Sequence, residues 1–174
     1  MTIRSRHSRV LPASAMVVIG GSFVVLGGLV AAVTGPVGLE RGSWLAAYLV
    51  LVCGVAQFAI GTVQSGQDLG TKPMPWARGW VQLTCLNLGS VAVIVGTLAR
   101  EPSLVDSAVG LLLVAFGIAL HTVRPWASQP MRGLVELQGR GSVGRLFLWG
   151  YRVFLLLLVV SLPVGSVLAH LRSN

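Results

Sequence analysis

Charged residues are scarce in this chain of 174 residues. Only 10% are Asp, Glu, Lys or Arg, while 54% are hydrophobic, and the mean hydropathy is +0.80. A soluble globular domain carries about 25% charged residues. So little charge is not enough to cover the surface of a soluble domain of this size. The composition therefore predicts an integral membrane protein.

Lysine is almost absent, since Lys72 is the only one and the net charge of +8 comes from arginine. A basic chain can bind nucleic acid, but these arginines flank apolar runs. Membrane orientation and anionic lipid explain arginines in such positions better. We therefore expect a lipid bilayer with anionic headgroups on the cytoplasmic side as a partner, and no nucleic-acid partner.

Groups that bind metals or carry out catalysis are also few. Cys53 and Cys85 lie inside apolar runs without a CxxC motif, so neither a disulfide framework nor a metal site is predicted. His121 is the only histidine in or next to an apolar run, whereas a haem held between helices usually needs two ligands. All five acidic residues fall in or beside loops. The sequence accordingly predicts no catalytic residue, no metal and no cofactor.

Apolar runs long enough to cross a bilayer follow one another along the chain. A helix rises about 1.5 Å per residue, so about 20 residues cross a hydrocarbon core of roughly 30 Å. We predict a single membrane domain, an all-α bundle of five helices that span residues 11–33, 44–63, 80–99, 104–123 and 146–168. The first run exceeds the core of a secretory signal, and we interpret it as a retained helix rather than a cleaved leader.

Lysine and arginine are distributed unequally among the connecting segments. With five spans, residues 1–10, 64–79 and 124–145 lie on one side and carry nine of them, against three on the other side. Cytoplasmic loops carry the excess of positive charge. We therefore predict a multi-pass protein of the cell membrane, with the N-terminus and both longer loops in the cytoplasm and the C-terminus outside.

The run over residues 80–100 is the one around which the others are expected to pack. Small or polar residues recur on it at intervals of three or four, and a second such set lies mostly on the opposite side. Lipid tails gain nothing from small residues, whereas a neighbouring helix can approach closely over them. Similar stripes on other runs complete the set of glycines predicted to mediate helix packing: Gly54, Gly61, Gly89, Gly96, Gly110 and Gly117.

Five hydrogen-bonding side chains are predicted to lie in the cytoplasmic half of the bundle, namely Gln57, Gln82, Asn87, His121 and Arg152. Polar groups inside a membrane are costly and are therefore candidates for function. One interpretation is a polar site open to the cytoplasm, in which Arg152 turns inward to Gln57 and Asn87. The other is that Arg152 extends to lipid phosphates, the amides bond to neighbouring helices and His121 caps the fourth helix.

Two stretches of the chain resemble each other weakly. Residues 51–56 read LVCGVA and residues 114–119 read VAFGIA, and each is followed by Thr-Val and then by Pro-Trp-Ala. Duplication of a helical hairpin, with a fifth helix added, would produce this pattern. The alternative is chance, because membrane segments are built from few residue types.

No reaction is indicated by the sequence. The missing catalytic groups and the small-residue stripes favour a non-catalytic membrane protein that works through helix contacts, as an accessory subunit or a homo-oligomer. One alternative is a carrier or pore for a small neutral or anionic solute, with the polar side chains as its site. Another is a membrane enzyme or haem protein.

Overall fold

The structure is a computed structural model that describes residues 4–65, 75–122 and 149–161, with side-chain surroundings from residue 12 onward. Of these residues 94% are helical and none forms a strand, which confirms the predicted all-α fold. The predicted loop over residues 124–145 lies outside the described part of the chain, as does most of the loop over residues 64–79.

Five helices make up the described part: α1 (Arg4–Val37), α2 (Gly42–Ser65), α3 (Trp76–Ala99), α4 (Pro102–Thr122) and α5 (Trp149–Ser161). The first four are long and apolar enough to cross a membrane. α5 is shorter within the described residues, and the remainder of the span predicted over residues 146–168 lies outside them. A multi-pass α-helical membrane protein follows from these four helices.

Two helix ends use the same backbone geometry with different residues. After α1, Gly38 has a φ of +66°, its N–H bonds to the Gly35 carbonyl at 3.2 Å, and the next N–H bonds to the Thr34 carbonyl. After α3, Arg100 adopts a φ of 59°, and the Glu101 N–H bonds to the Gly96 carbonyl at 2.9 Å. Both are left-handed caps that satisfy the last carbonyls of a helix and turn the chain into the next one.

The described helices are arranged as two antiparallel hairpins, α1 with α2 and α3 with α4, joined by contacts of α3 with α1 and α2. One apolar core runs through the assembly. Its fully buried members include Met16, Ile60, Leu86, Leu112, Phe116 and Leu155. Because Leu155 belongs to α5, that helix shares the same core.

Helix α2 is the most buried of the four long helices. Half of its apolar 18-residue segment is buried inside the protein, against 39% of the corresponding segment of α3. Its central residues, Leu49–Ala56, form a π-helix, in which each turn is wider than in an α-helix. The expectation that the third run is the centre of the bundle therefore needs refinement. α3 joins the two hairpins, but α2 has the larger share of its surface covered.

Aromatic pairs lie near the ends of two helices. Trp44 stacks on Tyr48 at a centroid distance of 5.5 Å near the start of α2, and Trp76 meets Trp80 edge-on at 6.1 Å at the start of α3. Tryptophan and tyrosine are enriched at membrane interfaces. Since α2 and α3 run in opposite directions, the two pairs lie at opposite ends of the bundle.

Candidate functional site

The Gln57 side chain is fully buried on α2, and neither its amide nitrogen nor its amide oxygen has a hydrogen-bond partner among the described residues. A buried amide without partners costs about 1–3 kcal/mol for each lost interaction. Native proteins leave few such groups. Gln57 is therefore the residue at which the candidate site is best defined.

Two further glutamines, Gln64 and Gln82, connect three helices through their side chains. Gln82 on α3 is fully buried, and its amide nitrogen donates to the Ala115 carbonyl of α4 at 3.1 Å. Gln64 on α2 donates to the Gln82 side-chain oxygen at 2.8 Å. Gln82 thus uses both ends of its amide, and the chain of bonds runs from α2 through α3 to α4.

Three further polar groups lie closer to the other end of the same interface. Ser90 on α3 is buried beside the Tyr48 and Cys53 side chains of α2. The hydroxyls of Ser90 and Tyr48 make no regular hydrogen bond within the described residues. We call the set formed by Tyr48, Cys53, Gln57 and Gln64 of α2 and Gln82 and Ser90 of α3 the polar row.

The other three predicted site residues do not join Gln57. Asn87 is half-buried and donates to the Leu83 carbonyl of its own helix at 2.8 Å. His121 is exposed in the last turn of α4. Arg152 is half-buried on α5 and is engaged in an interaction, but not with Gln57, whose amide has no described partner. Of the five predicted residues, only Gln57 and Gln82 belong to the polar row.

Ser90, Tyr48 and Cys53 were not among the predicted site residues. One signal for them exists in the sequence, because Cys53 and Gln57 are four residues apart and so share a face of α2. Which residue of α3 faces them depends on how the two helices pack, and a sequence pattern does not specify it.

Four of the predicted packing glycines lie at close helix contacts. A methyl group on Gly54 would lie 2.7 Å from a Val24 methyl, and one on Gly61 would lie 2.7 Å from the Ala13 carbonyl oxygen. Gly89 and Gly96 approach α4, where a methyl group would lie 3.0 Å from Leu112 and from Val105, respectively. These glycines allow the neighbouring helix to come close.

The remaining two predicted packing glycines behave differently. Gly110 and Gly117 on α4 are exposed, and a methyl group on either would meet no described atom within 4 Å. α4 packs on α3 through another face instead, which carries Ala108, Leu112 and Ala115. The small-residue stripe predicted on α4 therefore faces away from the described helices.

A comparable glycine stripe lies on α1. Gly20 and Gly27 face α2 at close contact, whereas Gly21, Gly28 and Gly35 meet no described atom within 4 Å of a methyl position. Each set follows a seven-residue interval, so each forms one line along the helix. We call Gly21, Gly28 and Gly35 on α1, and Gly110 and Gly117 on α4, the open glycines.

Within the described residues, no three His, Cys, Asp or Glu side chains are grouped so that they could hold a metal ion. Both cysteines there are free thiols. The chain matches no protein-family model, no curated protein and no solved structure. The polar row and the open glycines are the features of the described residues that bear on function.

Proposed function

We propose that this protein is a non-catalytic membrane subunit that assembles with a second copy of itself, by packing α1 of one copy against α4 of the other. The open glycines are the observation that carries the proposal. They occur at seven-residue intervals on both helices, and a methyl group added to any of them would meet no described atom within 4 Å.

Glycine on a lipid-facing helix surface lowers the stability of the helix and gains no packing in exchange. In a helix interior it is about 0.8–1.0 kcal/mol less favourable than alanine. Lipid tails pack equally well on larger apolar side chains, so they do not favour glycine. A partner helix does, as the contact of Gly20 and Gly27 with α2 illustrates within this chain. The same spacing on the open faces supports a second helix contact of the same kind.

The depth of the open glycines agrees with such a contact. Gly61 lies against Ala13 and Met16, Gln64 is bonded to Gln82, and Gln82 is bonded to Ala115. These contacts join one level of the bundle across α1, α2, α3 and α4.

Towards the opposite end of the bundle from that level, Gly21 and then Gly28 follow on α1, seven residues apart. On α4, which runs the other way, Gly117 lies near that level, and Gly110 and Ser103 follow at the same interval. Gly21 of one copy would therefore lie level with Gly110 of the other. Since α1 and α4 run in opposite directions, the contact would be antiparallel, as α1 with α2 already is. A twofold axis along the membrane normal would produce the contact twice.

Cross-linking between copies tests this proposal. One copy carries Gly21→Cys and the other Gly110→Cys, both with Cys53 and Cys85 replaced by alanine, and the two are co-expressed in a membrane and oxidised. We expect a covalent dimer from the mixed pair and little from either copy alone. Val91→Cys, on an exposed position of α3, replaces Gly110→Cys in the control.

Other outcomes have definite meanings. A covalent dimer from Gly21→Cys alone would show that α1 pairs with α1. Dimers with a chain of different sequence, or a monomeric mass for the protein extracted in mild detergent, would overturn self-assembly. Gly21→Leu should in addition convert the native dimer to monomer, because a side chain there separates the two backbones.

We also propose that the protein lies in the cell membrane with its N-terminus in the cytoplasm. The support is the distribution of positive charge, nine against three. A reporter that works only in the cytoplasm should be active after Gln67 or Gly139 and inactive after Gly38 or Asn174. Activity at Asn174 would indicate an even number of spans.

The carrier alternative depended on a charged site formed by Arg152 with Gln57 and Asn87. Within the described residues Gln57 has no such partner, and Asn87 bonds to its own helix. The contacts of Gln57 and Asn87 therefore do not support a charged carrier site.

A further inference from the structure

Gln57 lies between two points at which α2 is seen to meet α3. Towards one end of the bundle, Cys53 is beside Ser90. Towards the other end, Gln64 is bonded to Gln82. Cys53, Gln57 and Gln64 follow one another at intervals of four and seven residues, so they share one face of the helix. The Gln57 amide is therefore directed into the α2–α3 interface, between the levels of Ser90 and Gln82.

The Gln57 amide nitrogen and oxygen have no hydrogen-bond partner among the described residues. The Ser90 and Tyr48 hydroxyls lie beside each other but make no hydrogen bond of regular geometry there. Gln57 is fully buried and Ser90 is 3% exposed. Apolar residues of the same volume would fill these positions without the cost of unpaired polar groups. The interface thus holds buried donors and acceptors, and the Gln57 amide among them has neither of its ends paired in the described residues.

A separate feature of the backbone lies at the same place. The π-helical stretch Leu49–Ala56 contains Cys53 and ends immediately before Gln57. π-Helical turns are rare and occur mainly at functional sites, where the wider turn re-aims side chains. The backbone irregularity and the unpaired amide are independent observations, and they lie next to each other along α2.

We propose that the polar row binds one small uncharged molecule, of the size of water, urea or glycerol, that both donates and accepts hydrogen bonds. The amide of Gln57 supplies two donors and one acceptor, and the hydroxyls of Ser90 and Tyr48 each supply both. The row contains no carboxylate to hold a cation and no cationic side chain to hold an anion. Ile60, three residues after Gln57 on α2, and Leu86, four residues before Ser90 on α3, are fully buried, which favours a small ligand.

Nuclear magnetic resonance of the side-chain amides tests this site. The full-length protein is labelled with ¹⁵N in glutamine and asparagine and held in lipid nanodiscs, and Gln57→Leu identifies the Gln57 signal. Glycerol and urea are titrated separately, and cross-relaxation from the Gln57 amide protons to water, glycerol or urea is measured. We expect a saturable shift of the Gln57 signal with at least one solute, or cross-relaxation to water alone.

The side chain of Asn87 serves as the internal control. It is half-buried on α3 and bonded to its own helix, outside the polar row, so its signal should not follow the titration. Ser90→Ala should weaken solute binding about tenfold, the loss of one hydrogen bond. Tyr48→Phe should also weaken solute binding while leaving the apolar packing intact.

The outcomes separate the possible occupants. A saturable shift with glycerol or urea identifies a solute site, and long-lived contact with water only identifies water as the occupant. A Gln57 amide that contacts neither, with its signal unmoved by either solute, would overturn the proposal. The titration is repeated on Gly21→Leu, so that the site is tested independently of assembly into dimers.

Discussion

The two hairpins of this protein are held together in different ways. In the first, α1 and α2 both contribute glycines to the contact, and backbone approaches backbone: a methyl group on Gly20 would lie 2.6 Å from the Phe58 nitrogen. In the second, the glycines belong to α3 alone, and the nearest atoms of α4 are in side chains, Leu112 and Val105 at 3.0 Å, with backbone atoms of Ala108 and Val105 at 3.2 Å.

The difference concerns what can move. A main-chain atom in a helix is fixed by the hydrogen bonds of that helix, so it cannot retreat without displacing several residues. A leucine or valine side chain can change its position by a few tenths of an ångström. The spacing of the two helices is therefore more tightly fixed in the first hairpin, where the backbone lies as close as 2.6 Å to an added methyl group, than in the second, where it lies at 3.2 Å. Substitutions at the glycines of each hairpin measure this difference directly.

The largest effect is expected in the first hairpin. Gly20→Ala forces a methyl group against the backbone of Phe58 and the Gly54 carbonyl oxygen. It should lower the free energy of unfolding by about 2–3 kcal/mol, the upper range for overpacking. Unfolding in detergent by circular dichroism measures the change. Gly21→Ala is the matched control, because a methyl group there meets no described atom.

If Gly20→Ala and Gly21→Ala have equal stability under conditions that keep the protein monomeric, the first hairpin does not depend on close backbone contact. A gain of up to about 1 kcal/mol is expected for the control, from the better helix propensity of alanine. The two substitutions are on neighbouring residues, so their effects on insertion into the membrane are the same.

A smaller effect is expected in the second hairpin. Gly89→Ala should cost at most about 1 kcal/mol, because Leu112 can shift and because alanine favours the helix. Gly89→Leu exceeds that adjustment and should impair folding more than Leu156→Ala, which removes a side chain from an exposed position. The yields of folded protein, measured by gel filtration in detergent, compare the two. Comparable yields would contradict the central position of α3.

The smallest effect concerns the helix caps, where the hairpins again differ. The cap after α1 uses Gly38, whereas the cap after α3 uses Arg100 at a φ of 59°. Left-handed backbone costs a non-glycine residue about 1–2 kcal/mol. Arg100→Gly should therefore raise the free energy of unfolding by up to about 1 kcal/mol, and Gly38→Ala should lower it by a similar amount. Both are measured by chemical unfolding, and a loss of stability in Arg100→Gly would show that its side chain is needed.

Hydropathy was sufficient to predict the class of fold, because the length and apolarity of a spanning helix are set by the bilayer. It was less informative about helix ends. α1 ends at Val37 rather than at residue 33, and α3 begins at Trp76 rather than at residue 80. Helical hydrogen bonding continues through interfacial residues that a hydropathy pattern leaves out.

The side of each helix that meets its neighbour was harder to predict. Residues 51–56 and 114–119 resemble each other, yet Gly54 is packed against Val24, while a methyl group on Gly117 would meet no described atom within 4 Å. Both glycines lie on small-residue stripes. Such a stripe indicates that a helix can approach closely, but it does not identify which helix does so. Similarly, counting residues predicts a depth for Gln57 and Gln82, whereas the Ala115 carbonyl as the partner of Gln82 depends on the packing of α3 on α4.

One bond at the end of the bundle that holds both caps imposes an order in time. The Arg41 side chain, in the turn between α1 and α2, donates to the Thr97 carbonyl at the end of α3 at 2.5 Å. Thr97 is synthesised 56 residues after Arg41, a delay of about 3–11 s at 5–20 residues per second. The Arg41 bond can therefore form only after α3 has been synthesised. The arrival of α3 then completes the connection between the hairpins, with a cation at the negative end of its helix dipole.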